Sequence, residues 1–312
     1  MWFWLALIAL LCWSGSDLFS KIGCRGNDKY AHLKMVIAVG IIMGIHALYE
    51  IFVGGVEVTW HVILTYLPVS LLYISSMTLG YIGLRYIELS ISSPICNSSG
   101  ALVAVLCFIT GTLDDGIEGS MRLAVMGAVA LVCIGVIGLG VVESREDDEL
   151  RAERQKASNY KYAKSWLALA LPVAYCLLDA AGTFADTLVL DTLAGEAEAA
   201  GLFATAEECS SYAASVSNCA YELTFLFAAV CCIVYVGFIK KQRFAFSQEG
   251  PKYFGAICET AGQFAYIFAL SDTAHAAISA RNRQTASRPS RKNLRRSFPH
   301  TAWHLLSGAA FS

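Results

Sequence analysis

The chain has 312 residues, 56% of them hydrophobic and 15% charged, with a formal net charge of −2 and a mean hydropathy of +0.54. A water-soluble domain carries about 25% charged residues, so the composition excludes an ordinary soluble enzyme. The absence of a basic excess excludes a phosphate-binding footprint for nucleic acid, and the apolar content excludes disorder over most of the chain.

Eight stretches are long and apolar enough to cross about 30 Å of hydrocarbon, which takes roughly 20 helical residues. In chain order they are 2–21, 33–53, 62–83, 90–112, 121–142, 165–189, 219–239 and 252–273. None alternates with period two, so helices and not a barrel are expected. The first has no positive leading segment and carries Asp17 and Lys21 where a cleavage site would stand, so it is expected to be an uncleaved span. The fourth opens on a polar run, Ser92, Ser93, Asn97, Ser98 and Ser99, with Pro94 in its first turn. The charged run Glu143 to Lys164 separates five spans from three. The expected fold class is an all-α polytopic membrane protein.

Lys and Arg set orientation. Fifteen of them fall in the loops on one side, against Arg122 alone on the other. The connector 143–164 is therefore expected in the cytoplasm. Residues 281–312 break the pattern, with seven Arg and Lys and no acid. The texture changes at Ala280, as if the reading frame were lost there.

Shifted by about 162 residues, the first span meets the sixth: Trp4-Leu5-Ala6-Leu7 falls on Trp166-Leu167-Ala168-Leu169, Trp13 on Tyr175 and Asp17 on Asp179. Acids inside spans are expensive, so an acid falling on an acid is the informative match. Five spans, a charged connector and a second copy is the layout of an inverted-repeat transporter. The expected organisation is a first five-helix repeat over 1–142, the connector 143–164, an incomplete second repeat over 165–280 and the basic tail 281–312.

Three segments carry a family resemblance. Ala-Leu-Leu-Cys-Trp-Ser-Gly-Ser (9–16) resembles an "LLWGS" opening, Gly83 to Ile95 resembles an "ALKYTSASLASP" segment, and the glycines of the fifth span, Gly127 and Gly135, resemble a "G..LI..GV" helix. Phe268 to Ala280 looks like the second copy of the helix 3–4 segment. Together they resemble the EamA family of the drug/metabolite transporter superfamily, ten-helix carriers. The resemblance implies a helical bundle of two inverted five-helix repeats, of which 5+3 helices are present and the last two are missing.

The candidate substrate or coupling-ion residues are intramembrane polar groups. Asp179 lies near mid-span, and Thr183 and Asp186 follow it on the same face. Asp17 shares a face with Lys21 and is readable either as a helix-end ion pair or as a gating acid. Glu259 and Gln263 share a face of the eighth span, and Asn97 is readable as a solute hydrogen bonder or as helix packing. Trp13 and Tyr175 are paired by the repeat. Glu222 and Glu50 are expected at the membrane interface. Eleven cysteines show no zinc-ligand spacing; Cys209 and Cys219 are a candidate disulfide, because the loop after the sixth span is expected outside. No phosphate-cradling or nucleophile motif is present, so no cofactor and no catalytic residue is expected.

The expected function is a secondary transporter in the cell membrane, moving a small organic metabolite or drug by alternating access, with proton coupling open. Its partners would be that small-molecule substrate and the lipid bilayer, with no nucleic acid; a homodimer is allowed. Two other readings remain, a non-transporting truncated remnant and a membrane enzyme acting on lipid-linked substrates.

Overall fold

In the computed structural model the described residues are 2–24, 28–84, 89–110, 119–144, 166–242, 244 and 246–286, and they are helical with no strand among them. The helices are α1 (Trp2–Cys24), α2 (Ala31–Phe52), α3 (Trp60–Gly83), α4 (Leu89–Cys96), α5 (Ser99–Thr110), α6 (Gly119–Ser144), α7 (Trp166–Ala199), α8 (Ala206–Ile233) and α9 (Phe246–Ala286). A π-helical turn, Val234–Ile239, extends α8. Residues 145–165 of the expected connector and 287–312 of the expected tail lie outside the described residues; 281–286 continue α9 as helix.

Among the described residues, six helices are long and apolar enough to cross a membrane: Phe3–Cys24, Ala31–Phe52, Trp60–Gly83, Ser92–Thr110, Ala170–Ala199 and Ala206–Ile239. The chain is thus a multi-pass helical membrane protein. Of the two other expected spans, α6 offers the shorter apolar stretch Met126–Gly138. The last lies in α9, whose first half carries Glu249, Lys252 and Glu259.

Burial is inverted relative to a soluble protein. Leu11, Leu64, Leu71, Ile134, Phe227 and Phe238 are exposed, whereas Ser70, Ser76, Ser217, Asp186 and Glu222 are fully buried. An apolar exterior is the cheap arrangement in lipid, and polar groups are retained where helices face one another.

Three interhelical pairs dominate the packing: α1 with α9, α2 with α8, and α3 with α7. Each runs antiparallel. In α1–α9, Gly15 meets Cys258 and Gly23 meets Lys252; in α3–α7, Gly83 meets Leu171 while Gly182 meets Tyr73. At the α2–α8 crossing a Cβ on Gly40 would collide with the Phe225 carbonyl oxygen and the Ala229 methyl, so only glycine admits this approach. The next contacts are α9 with α2 and α3 with α8.

Local chemistry fixes the helix starts. Thr59 caps α3 by accepting from the Val62 N–H at 3.3 Å. Thr205 and Glu208 form a capping box at α8: the Glu208 N–H donates to Thr205 Oγ1 at 3.2 Å and the Thr205 N–H to Glu208 Oε2 at 3.1 Å. The helix consequently begins before Cys209, and this rules out the candidate disulfide. Cys209 and Cys219 are both free thiols on one continuous helix, ten residues apart. That is about 15 Å of rise, against a Cα separation below about 7 Å for a disulfide.

At the end of the bundle where α1 finishes and α9 begins, Lys34 pairs with Asp28 at 2.7 Å and with Glu249 at 3.2 Å. Glu249 also pairs with Lys252. This rim ties the α1–α2 loop to the start of α9.

Candidate functional site

The fourth span is broken. α4 ends at Cys96, Asn97 and Ser98 form a turn, and α5 starts at Ser99. The sequence dictates this locally. Pro94 lacks an N–H and crowds the preceding turn. Short polar side chains then compete for the backbone: Ser98 Oγ donates to the Ile95 carbonyl at 2.7 Å, and Asn97 Nδ2 to the Ser93 carbonyl at 2.9 Å.

Two acids flank the break. Asp17, from α1, accepts from Ser93 Oγ and, at 3.4 Å, from Asn97 Nδ2, which also donates to Ser93 Oγ at 2.9 Å. Asp179, from α7, faces Ser99, the first residue of α5. Unpaired N–H groups at a helix start favour a carboxylate there. One turn away, Ser98 Oγ lies 3.2 Å from Cys176 Sγ. Asp17 and Lys21 bind different partners, so the ion-pair reading fails: Lys21 Nζ donates to the Leu84 carbonyl at 2.7 Å.

Beside the break is a small open cavity of about 40 Å³, lined by Asp17, Ser93, Asn97, Tyr81, Tyr175 and Glu259 among others. Glu259, from α9, stands among Ser16, Trp13, Asp17 and Asp179. The lining comes from α1, α3, α4, α7 and α9, so four of the eight predicted site residues, Asp17, Asn97, Tyr175 and Glu259, meet in one place. A carboxylate at membrane depth is tolerated when it faces a wet cavity or binds a ligand.

The other predicted residues surround the cavity. Tyr175 lies on Gly80: a Cβ there would be 2.8 Å from the ring. Trp13 lies on Gly262 at 2.7 Å by the same measure, and its ring stacks at 5.0 Å on Tyr266. Among the described residues, buried Gln263 has no hydrogen-bond partner for Nε2, and the buried Tyr81 hydroxyl likewise has none. Thr183 joins a different cluster. There Asp186, fully buried, accepts from Tyr66 at 2.8 Å, and Tyr73 lies within 3.1 Å of Thr183 Oγ1 and 3.4 Å of Asp186 Oδ2.

Glu222 is not interfacial: it is fully buried, with both carboxylate oxygens 2.9 Å from His46 Nδ1. Glu50 is 3.8 Å from His46 Nε2 on the open side of the same cluster. His46 and Tyr66 were not singled out from the sequence as site residues, and Ser93 was read only within the polar run of the fourth span, Tyr73 and Tyr81 only within a candidate aromatic lining. Their signal was weak, since lone Ser, Tyr and His residues in apolar spans read as packing. For Tyr66 and Tyr73 the available clue was the seven-residue spacing on α3, which places both against one face of α7.

No protein-family model matches the chain, and no curated protein and no solved structure matches it.

Proposed function

We propose that the protein is a secondary transporter of a small organic solute, working by alternating access with the EamA-like layout of two inverted repeats. The supporting observation is that Asp17 and Asp179, equivalent in the internal repeat, flank one break in the fourth span beside a cavity built from both halves of the chain. Discontinuous helices at a repeat interface are where such carriers bind their cargo.

The helix pairing agrees with the repeat. Exchanging the first three spans with the sixth to eighth turns α1–α9 into α7–α3 and leaves α2–α8 on itself. It also turns α9–α2 into α3–α8. All five pairings are among the principal contacts. The cavity would hold the solute, with Asp17 and Glu259 as its charged contacts and Asn97 and Tyr81 as hydrogen-bonding ones, and Asp179 would act on it across the break. Its location would be a cell membrane, with the 143–164 connector in the cytoplasm. No role for a cofactor or a reacting nucleophile is assigned.

The test is uptake into proteoliposomes of a panel of labelled amino acids, amines, sugars and nucleosides, with and without a pH gradient. At least one solute should move faster than in protein-free vesicles, and Asp17→Asn, Asp179→Asn and Glu259→Gln should each slow it. Solute movement unaffected by all three substitutions, or none across the panel, would sink the reading.

A further inference from the structure

We propose that Asp186 is a proton-binding site separate from the solute cavity, joined to it by a hydroxyl chain through Tyr73 and Thr183. The inference rests on the transport reading for its use, though the site itself is defined without it.

The geometry begins with burial. Asp186 is fully buried between α3 and α7, and no Lys, Arg or His pairs with it among the described residues. The groups around it are phenols and one acid: Tyr66 and Tyr73 on α3, Tyr221 on α8, Tyr266 on α9, and Asp179 two turns earlier on α7. A lone charged carboxylate in such surroundings is far costlier than a neutral carboxyl.

Counting hydrogens shows that the site accommodates either protonation state. Tyr66 donates to Oδ1 at 2.8 Å. Tyr73 has one hydroxyl hydrogen to give, to Thr183 Oγ1 at 3.1 Å or to Asp186 Oδ2 at 3.4 Å, with the Tyr266 hydroxyl beside it. With the hydrogen on the nearer Thr183, the Tyr73 oxygen is free to accept a hydrogen bond from the carboxyl opposite it. A protonated Oδ2 donates one; a carboxylate cannot. With the hydrogen turned to Oδ2 instead, the carboxylate is the partner. The same atoms thus serve both protonation states by rotating one phenolic hydrogen.

That arrangement also moves a proton. The Oδ2–H bond breaks as a new O–H bond forms on Tyr73. Tyr73's original hydrogen passes to Thr183 Oγ1, and Thr183 releases its own hydrogen to an acceptor on the cavity side. One proton leaves Asp186, and each hydroxyl ends with one hydrogen. Thr183 is one turn from Asp179 on the same helix, which makes Asp179 the nearest acid along α7 to receive it. In the other direction Tyr66 is little more than one turn from His61, which bonds the exposed Glu196 at 3.0 Å where α3 begins and α7 ends. Asp186 therefore lies between the cavity and the far end of the bundle. The solute would occupy the cavity carboxylates while the coupling proton sits outside it.

The test is infrared difference spectroscopy of purified protein through a pH jump, reading the protonated-carboxyl band. A band that appears on acidification and vanishes on alkalinisation is expected. It should be lost in Asp186→Asn and kept in Asp17→Asn and Glu259→Gln. Tyr66→Phe retains the carboxyl and serves if Asp186→Asn fails to fold; the band should persist at higher frequency, having lost a donor. Tyr73→Phe should leave a band that no longer follows the pH jump. A band unchanged in Asp186→Asn, or unmoved in Tyr66→Phe, overturns the assignment, as does one abolished by sodium chloride but not by choline chloride. Because the readout needs no solute, a titrating Asp186 without measurable transport would refute the transport reading and leave this site standing.

Discussion

Tyr175 fills the space over Gly80, so that a methyl group on the glycine would come within 2.8 Å of the ring. The tyrosine lines the cavity, and the missing side chain on α3 lets it reach there. Gly80→Ala must push a ring, not a flexible chain end, in a densely packed contact. It should cost about 1–3 kcal/mol and displace Tyr175 into the cavity. Gly262→Ala should bring a similar loss, because a Cβ there would come within 2.7 Å of the Trp13 ring. Thermal unfolding in detergent checks both; midpoints equal to wild type would refute the packing argument.

The cavity acids should separate from one another on neutralisation. Asn at position 17 keeps an oxygen for Ser93 and Asn97, so Asp17→Asn should insert and fold normally. What it loses is a charge. A charge-assisted contact stronger by about 1.5 kcal/mol than a neutral one corresponds to roughly tenfold in solute affinity. Solute-dependent quenching of Trp13 fluorescence would report it. If Asp17 served packing alone, stability would fall and affinity would not.

Breaking the His46–Glu222 contact should be worse than removing it. His46→Leu strands a fully buried carboxyl, with an expected penalty of about 1–3 kcal/mol. The double variant His46→Leu/Glu222→Leu removes both groups and should recover part of that loss. Denaturation midpoints of the four proteins complete the cycle. Additive losses would mean that the two side chains do not interact.

The rim has an acid limit. Burial pushes the Asp28 carboxyl up, but hydrogen bonds from Lys34 and the Tyr30 N–H, with the charges of Lys34 and Lys252, bring it below its ordinary value of 3.8. A carboxyl lowered in the folded state contributes stability that is complete above its unfolded value and is lost as pH falls through the folded one. The tie between the α1–α2 loop and α9 should therefore hold at neutral pH and loosen only below about pH 4. Proteolysis of the loop at graded pH would show this. Asp28→Asn should lack the acid step, and a step that persists in that variant belongs to another group.

The polytopic helical class was legible because apolar runs of spanning length follow directly from bilayer thickness. Asp17, Asn97 and Glu259 were legible as lining of the candidate cavity for a related reason: polar groups in lipid are costly enough that their presence is itself a signal, whereas Tyr175 was read from its pairing with Trp13 in the repeat. The break at Asn97–Ser98 was not read, although Pro94 and the serine run caused it, because overall hydropathy stays high through Thr110. Glu222 was misplaced because position along a span says nothing about which face a residue occupies, and His46 across the contact decides its environment. The Cys209–Cys219 pairing failed because the capping box at Thr205 extends α8 back over residues assigned to a loop. Thr183 shares a face with Asp179, yet Tyr73 from another helix draws it into the Asp186 cluster.

The crossing of α2 and α8 has a mechanical consequence. If the two halves exchange as proposed, this pair alone maps onto itself, and a rocking of one half against the other would turn about it. Displacement grows with distance from such a fulcrum. The Gly40–Phe225 contact, closed to anything larger than glycine, should stay in register throughout a cycle. The Lys34–Glu249 tie, at the end of the bundle, would have to part and reform. A cross-link one turn along the same crossing, through Gly44→Cys and Leu226→Cys, where the nearest atoms a Cβ on Gly44 would meet belong to the replaced leucine side chain, should leave turnover intact, whereas one through Lys34→Cys and Glu249→Cys should arrest it with the cavity held on one side.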